Sequence, residues 1–193
     1  MSSSVNGNKT NNYTFTSAPG SVTINPATLT YVANAATSTY GSAPSLNGGS
    51  VTGFVNGQNL SSATSGTLSF TTSATAANDV GSYAINGSGL TANHGNYVFV
   101  QAANNATALT VNPALLTVTA NTTYSGTTDV TSAVQLTGLK NGDTLTVNSA
   151  TAASSDVGSG NYISAISLGN GNGKASNYIV NTNGNNEIGR AHV

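Results

Sequence analysis

The chain has 193 residues, only 5% of them charged, and its formal net charge at pH 7 is −1. Four Lys and Arg cannot build the basic patch that binding to nucleic acid, or to an anionic membrane surface, requires. Cysteine is absent, which excludes disulfide bonds and thiolate metal sites. No apolar run approaches the length of a membrane-spanning helix, so we expect no membrane insertion.

Residues 1–26 contain two strand signals, NYTF from Asn12 and SVTIN from Ser21. In the second, Val22 and Ile24 share one face and Thr23 the other, which is the two-residue period of a half-buried strand. We interpret residues 1–26 as the C-terminal hairpin of a preceding repeat. No basic end followed by an apolar core stands at the start, so either the protein is cytosolic or an upstream segment is missing.

The same motifs then recur in the same order along the chain. VTGFVNGQNL at 51–60 returns as LTGLKNGDTL at 136–145, which is 85 residues later (136 − 51). SVTINPATLTYVA at 21–33 returns as ALTVNPALLTVTA at 108–120. The sequence therefore predicts tandem repeats of about 80 to 85 residues. One complete repeat spans 27–112, and a second, 113–186, lacks its last strand.

Each repeat is predicted to be built from short strands joined by turns. Asn56-Gly57 and Asn141-Gly142 are turn signals, because both residue types tolerate positive φ. No ten-residue segment has helical periodicity. Besides Ser21–Asn25, strands are predicted at 51–55, 67–71, 83–86, 96–100, 115–120, 130–137, 144–148 and 162–168.

These elements predict an all-β fold of tandem Ig-like antiparallel β-sandwich repeats in an elongated array. Pro26 and Pro113 stand at the junctions between repeats, where no Gly/Ser linker occurs. A proline restricts the preceding residue to extended geometry, so we expect a short and stiff connection.

Polar residues that could carry chemistry were weighed against plain structural roles. His94 lies in a loop and reads as a solvated residue rather than a metal ligand, because the only other histidine lies in the tail. Asp79 and Asp156 occupy equivalent DVG positions, where an acid–base pair is conceivable but a turn or capping role is favoured. Asp143 is also interpreted as a turn residue.

The remaining candidates lie in the second half of the chain. The glycine-rich stretch 169–178 lacks the Gly-Lys-Ser/Thr of a phosphate loop and is interpreted as a plain loop. Tyr97 and Tyr178 each open a late strand, either as hydrogen-bonded corner tyrosines or as an aromatic, lectin-like platform. Lys140 or Lys174 could form an isopeptide crosslink to an asparagine only beside a buried acid. We therefore predict no catalytic, cofactor-binding or metal-binding residues, and no calcium site.

Asparagine in Asn-x-Ser/Thr context is a further modification candidate, although chance alone creates several such sites in this composition. These asparagines are Asn8, Asn12, Asn59, Asn86, Asn105 and Asn121.

Two sets of motifs carry a resemblance to a known family. Tyr40-Gly41, GFVNGQ, DVGSY, NYVF and ALTVNPA resemble the MBG domains of large bacterial surface proteins. The segment from 120 to 147, with DVGSGNYIS and ASNYIV, resembles the related YDG domain, although Tyr124-Ser125-Gly126 stands in place of Tyr-Asp-Gly. The final residues, 187–193, resemble the read-through of a sequencing adapter and are interpreted as a non-native tail; a solvated native tail is the alternative.

The resemblance implies a non-catalytic spacer or presentation module of a secreted, filamentous-haemagglutinin-like adhesin on the bacterial cell surface. Its expected partners are neighbouring repeats of the same polypeptide, with host or biofilm glycans or self-association as further options. The near-zero net charge favours self-association. The alternative interpretation is a glycan-binding β-sandwich module of a cell-surface protein, which a cluster of exposed aromatic residues would support.

Overall fold

The computed structural model describes residues 20–158, 161–180 and the backbone of 188–190. This part of the chain is almost entirely β, which confirms the all-β prediction. One four-residue helix, α1 (Leu60–Ala63), interrupts the strands, and the side chain of Asn59 caps it. The strands are β1 Ala27–Ala33, β2 Ala36–Thr39, β3 Gly49–Thr52, β4 Thr64–Thr71, β5 Gly81–Tyr83, β6 Asn86–Ala92, β7 Tyr97–Gln101, β8 Leu109–Asn112, β9 Ala114–Thr122, β10 Val134–Thr137, β11 Leu145–Ala152, β12 Ile163–Asn170, β13 Tyr178–Val180 and β14 Ile188–Arg190.

Strands β1 to β8 form three small sheets, which we call the first unit. Strand β1 is central in its sheet and pairs antiparallel with β3 and parallel with β7. Strand β8 pairs parallel with β2 and antiparallel with β5. Strands β4 and β6 form an antiparallel hairpin. The sheets are thus mixed rather than purely antiparallel, because strands far apart in sequence meet without a tight turn between them.

Strands β9 to β13 form the second unit and follow the same pairing order. Strand β9 pairs antiparallel with β10 and parallel with β13, as β1 does with β3 and β7. Strands β11 and β12 pair antiparallel, as β4 and β6 do. This correspondence supports the predicted repeat, while the tandem array and the boundaries at 27–112 and 113–186 stay predictions.

The segments near the two ends of the chain differ from each other in strand pairing. The backbone of β14 pairs parallel with β9 at Ala120–Thr122, on the edge for which the sequence predicts a missing last strand. The predicted strand at Ser21–Asn25 is wrong: this segment belongs to no strand in the structure, and the side chains of Val22 and Ile24 are exposed. Residues 1–19 and most of the 187–193 tail lie outside the described residues.

Alternating burial along the strands builds the core of each unit. Leu29, Tyr31 and Ala33 of β1 are buried, and the residues between them are less so. The ring of Tyr31 stacks on Phe99 and meets Phe70 edge-on, which joins the sheet of β1 to the β4–β6 hairpin. In the second unit, β9 buries alternate residues along most of its length against β11 and β12. The period-two pattern read from the sequence is therefore the pattern that fills the core.

Among the residues that the structure describes, no helix is long and apolar enough to cross a membrane.

Candidate functional site

The repeated ten-residue motif forms the same turn in both units. Asn56 and Gly57 have φ values of 55° and 70°, and Asn141 and Gly142 have φ values of 54° and 75°. Both residues of each pair therefore lie in the left-handed region, which asparagine and glycine adopt most easily. The predicted turn role of these two Asn-Gly pairs is confirmed.

Each turn holds the tyrosine that opens a late strand. In the first unit, Tyr97 Oη accepts from the Val55 backbone N–H at 3.2 Å and donates to Gln58 Oε1 at 2.5 Å. In the second unit, Tyr178 Oη accepts from the Lys140 N–H at 2.9 Å and donates to Asp143 Oδ2 at 2.7 Å. Both tyrosines are buried, so they act as structural anchors and not as an exposed aromatic platform.

Asp143 also binds a tyrosine from the other unit. Tyr40 follows β2 in the first unit, and its Oη donates to Asp143 Oδ2 at 2.8 Å. One carboxylate oxygen thus accepts hydrogen bonds from Tyr40 and Tyr178, whose rings meet edge-on with centroids 5.4 Å apart. We call the contact of the two units around this tyrosine pair the joint. Asp143 was predicted to be a turn residue, and its acceptor role in the joint adds to that prediction.

A second polar cluster in the joint surrounds Asp79. Lys174 Nζ of the second unit forms an ion pair with Asp79 Oδ2 of the first. Asn177 donates from Nδ2 to Asp79 Oδ1 at 2.8 Å, and its Oδ1 accepts from the Val80 N–H at 3.0 Å. The hydrogen bonds from Asn177 and Lys174 hold the pKa of Asp79 below its ordinary value, so this carboxylate stays charged at neutral pH.

The backbone of Gly41 lies in close contact with the second unit. This residue has a φ of +85°, and a Cβ on it would lie 2.5 Å from Lys140 Cβ of the second unit. Its N–H donates to the Ala76 carbonyl, which also accepts a 3.1 Å hydrogen bond from Asn141 Nδ2. A glycine is therefore required here both by the backbone conformation and by the close approach of the second unit.

Apolar packing surrounds these polar contacts. Tyr40 and Val111 of the first unit share one buried cluster with Ala114, Leu116 and Tyr178 of the second. Strands β8 and β9 are separated only by Pro113, so the cluster forms where one unit passes directly into the next. This spacing fits the predicted short connection, whose stiffness stays a prediction.

Charge is concentrated at the joint. The chain has nine charged residues, four basic and five acidic. Four of them, Asp79, Lys140, Asp143 and Lys174, lie at the contact between the units. In a chain with so few charges, this is the one place where ionised groups are paired across units in the described part of the structure, and it is the strongest candidate for a functional site.

Comparison with known families bears on the first of the two units. Residues 29–108 match the MBG domain (YGX type). Among curated proteins and among solved structures, nothing matches the chain. The resemblance to MBG domains is thus confirmed for this region, and the resemblance of the second unit to YDG domains stays a prediction.

The joint accounts for a motif within the MBG region. Tyr40-Gly41 is the single Tyr-Gly pair within residues 29–108 and fits the YGX label. Tyr40 supplies a hydroxyl to Asp143 across the joint, and Gly41 provides the close approach to Lys140. Tyr40-Gly41 is therefore one of the two parts of the MBG region that contact the following unit, together with the segment from Ala76 to Val80.

The other candidate residues are not brought together. Asp156 is exposed in the second unit, whereas Asp79 is paired in the joint, so the two carboxylates take part in different contacts. His94 is an exposed turn residue with a φ of 57° at the edge of the MBG region. Among the described residues, no group of three His, Asp or Glu side chains could hold a metal ion.

The crosslink candidates take other roles. Lys174 faces an aspartate, and both side chains of this pair remain substantially exposed, so the buried acid that an isopeptide bond needs is not beside it. Lys140 contributes its backbone N–H to Tyr178. The stretch 169–178 forms the end of β12 and a loop with a short 3-10 turn, in agreement with its interpretation as a loop until Tyr178 opens β13.

One glycosylation candidate within the MBG region is structural. Asn105 is 1% exposed, and its Oδ1 accepts from the Ala33 N–H at 2.8 Å. Its Nδ2 donates to the Tyr31 carbonyl and to Gln101 Oε1, each at 2.9 Å. A buried amide whose oxygen and nitrogen are both hydrogen-bonded cannot receive a glycan in the folded state. Asn59, Asn86 and Asn121 are exposed, and Asn8 and Asn12 lie outside the described residues.

The tyrosine pair predicts a loss of stability in alkali. Burial and the hydrogen bond to Asp143 raise the pKa of Tyr178 to about 12, from 10.0. A raised pKa in the folded state means that the contribution of Tyr178 is fully present below about pH 10 and is lost as the pH rises towards 12. We expect this loss to reach about 2 kcal/mol.

Urea unfolding at a series of pH values, for the chain and for Tyr178→Phe, measures this effect. The difference in unfolding free energy between the two proteins should shrink above pH 10, because the variant has no group at this position to ionise. A difference that stays constant up to pH 12 would contradict the proposed environment of Tyr178.

Proposed function

We propose that this chain is a structural spacer of a secreted bacterial surface adhesin, without catalytic activity of its own. The MBG match of residues 29–108 fits a module of a surface protein. The observation that carries the proposal is the joint, in which Tyr40 and Tyr178 share the carboxylate of Asp143. A module that holds its neighbour at a defined angle is what an extended presentation stalk needs.

The joint combines three kinds of contact with different roles. The buried cluster around Tyr40 and Val111 removes apolar surface from water and supplies attraction without strong directionality. The hydrogen bonds to Asp143 and from Asn177 are directional and select one orientation between the units. The exposed Asp79–Lys174 pair contributes little stability, since solvent screens it, and only slightly favours orientations that keep the two charges together.

Glycan binding receives less support as the main activity. Tyr97 and Tyr178, the two tyrosines that the sequence suggests for a binding platform, are buried and hydrogen-bonded. An exported location on the cell surface and partners in a longer array remain part of this proposal, because they rest on the resemblance to adhesin repeats.

The stiffness of the joint can be measured by distances between spin labels. The chain has no cysteine, so Val98→Cys and Ile179→Cys introduce two unique labelling sites. Both residues are exposed, at equivalent positions in β7 and β13. We expect one narrow distance distribution between the two labels, because the joint permits a single orientation.

A Gly41→Val change in the labelled chain should broaden that distribution, since the new side chain would collide with Lys140. Gly57→Val is the matched control: it also places a side chain at a positive φ of 70°, but nothing lies within 4 Å of its Cβ. A broad distribution in the unmodified chain would contradict the proposed spacer function. Equal broadening by both changes would show that the joint contact at Gly41 does not set the orientation.

A further inference from the structure

The second unit repeats the docking residues of the first unit, but these copies are exposed. Tyr40 is 4% exposed, whereas Tyr124, its counterpart in the repeat, is 65% exposed. Asp79-Val80-Gly81 returns as Asp156-Val157-Gly158, and the side chain of Val157 is 79% exposed. We call the exposed surface at Tyr124, Asp156 and Val157 the forward face, because these residues are the repeat counterparts of the groups with which the first unit enters the joint.

The position of Tyr124 in its unit matches that of Tyr40. Tyr40 comes directly after β2, where the parallel pairing of β2 with β8 ends, and its N–H donates to the Asn112 carbonyl. Tyr124 comes two residues after the end of β9, where the parallel pairing of β9 with β14 ends. Each tyrosine thus lies just beyond the C-terminal end of a strand that is paired with a parallel neighbour.

The first unit carries the complementary half of a joint. Asn96 and Tyr97 correspond to Asn177 and Tyr178: Asn96 follows a 3-10 turn at Asn93–Gly95, and Asn177 ends a 3-10 turn at Ala175–Asn177. Asn177 is 1% exposed because the first unit covers it, whereas Asn96 is exposed. We call the surface formed by Gln58 and Asn96, with the buried Tyr97 behind Gln58, the receiving face.

Apolar surface accompanies the receiving face. Leu60 is the repeat counterpart of Leu145, which packs into the buried cluster of the joint. Leu60 itself is partly exposed and lines an open depression of about 380 Å³ together with Leu68 and Leu90. The receiving face thus combines the exposed Asn96 and the half-buried Gln58 with a partly exposed apolar patch, as expected of a contact surface for another unit.

We propose that the forward face of one copy of this chain docks on the receiving face of a second copy, head to tail. By analogy with the joint, Tyr124 Oη donates to Gln58 Oε1, which has a second lone pair beside the one that Tyr97 uses. Asn96 takes the place of Asn177 and binds the Asp156 carboxylate and the Val157 N–H. The inference goes beyond the spacer function, because it concerns contact between separate chains.

The proposed contact between copies differs from the joint in one charged residue, which should make it the weaker of the two. Asn93 occupies the position of Lys174, so a contact between copies lacks the ion pair that Asp79 makes in the joint. The two faces are different surfaces, so the contact is heterologous and leaves a free face at each end of a dimer. Association should therefore be weak and should continue with rising concentration instead of stopping at a dimer.

Sedimentation velocity over a wide range of concentrations tests the proposal. We expect the average sedimentation coefficient of the chain to rise with concentration, and Tyr124→Ala to weaken association about tenfold. Asn93→Lys should strengthen it, because the new lysine would face Asp156 as Lys174 faces Asp79. Ile179→Ala is the control, since it removes an exposed apolar side chain from the second unit outside the forward face.

A mixing experiment distinguishes this contact from a symmetric dimer. Tyr124→Ala leaves the receiving face intact, and Gln58→Ala leaves the forward face intact. Each variant alone should associate poorly, whereas an equimolar mixture should form a dimer and stop there. A mixture no more associated than its components, or an unmodified chain and an Asn93→Lys variant that both remain monomeric, would overturn the proposal. Spin-label distances across the joint are independent of these changes, so failure here would leave the spacer proposal intact.

Discussion

Replacement of Asp143 by alanine is expected to lower the free energy of unfolding by about 3 kcal/mol. The change leaves the hydroxyl groups of Tyr40 and Tyr178 without their shared acceptor, at about 1 to 2 kcal/mol for each buried donor. Urea unfolding followed by tyrosine fluorescence measures the change, since the chain contains 8 Tyr and no Trp.

The equivalent position in the first unit supplies the control for this experiment. Gln58 accepts one tyrosine hydroxyl, so Gln58→Ala should cost about half as much as Asp143→Ala. A double-mutant cycle of Asp143→Ala with Tyr40→Phe should give a coupling of about 1 kcal/mol across the joint. Equal costs for the two alanine variants, together with zero coupling to Tyr40, would mean that the joint hydrogen bond adds nothing to stability.

The second large effect is expected from Asn105→Ala, also at about 3 kcal/mol. The side chain of Asn105 binds the Tyr31 carbonyl, where the pairing of β1 with β7 ends, and the Ala33 N–H, which lies before the pairing of β2 with β8 begins. Alanine would leave the buried Ala33 N–H without a partner, at a desolvation cost of about 1 to 3 kcal/mol. It would also remove the hydrogen bonds to Gln101 Oε1 and to the Tyr31 carbonyl, which keeps only the Ala102 N–H.

Asn47→Ala is the matched control for Asn105→Ala. Asn47 also bonds a backbone carbonyl, that of Ala35, at 2.8 Å, but it is exposed to solvent. Water can replace its hydrogen bond, so we expect a loss below about 1 kcal/mol. Thermal or urea unfolding of the two variants should therefore differ clearly, and similar losses would contradict the role assigned to Asn105.

The strands that the sequence predicts best are those with a strict two-residue period. In β9 the alternation of Leu116, Val118 and Ala120 with threonine and asparagine is the alternation of buried and exposed residues. The segment around Val22 has the same alternation but forms no strand, because pairing depends on a partner and not on local pattern alone. The strand predicted at 83–86 spans a break between β5 and β6, where Ile85 leaves the ladder and enters the core.

The parallel pairing of strands could not be predicted from the sequence. Turn signals such as Asn56-Gly57 indicate antiparallel neighbours, whereas β1 and β7 are joined only through many intervening residues. For the same reason, the sequence does not predict the contact of the two units at the joint. Tyr40 and Asp143 are 103 positions apart, and nothing local to either residue indicates the other. The repeated motifs placed Asp143 in a turn correctly, but only the packing of one unit on the next reveals that its carboxylate is shared.

The parallel ladder between β2 and β8 determines how a unit responds to tension along the chain. Force that pulls the chain apart would act on the start of β1 at Ala27 and on the end of β8 at Asn112. Because β8 runs in the same direction as β2, these forces slide the two strands past each other along their axes. The ladder bonds from Ala36 to Thr39 are then loaded together in shear, not one after another as in the opening of a zipper. We expect such a unit to resist extension with all of these bonds at once, although its core is small.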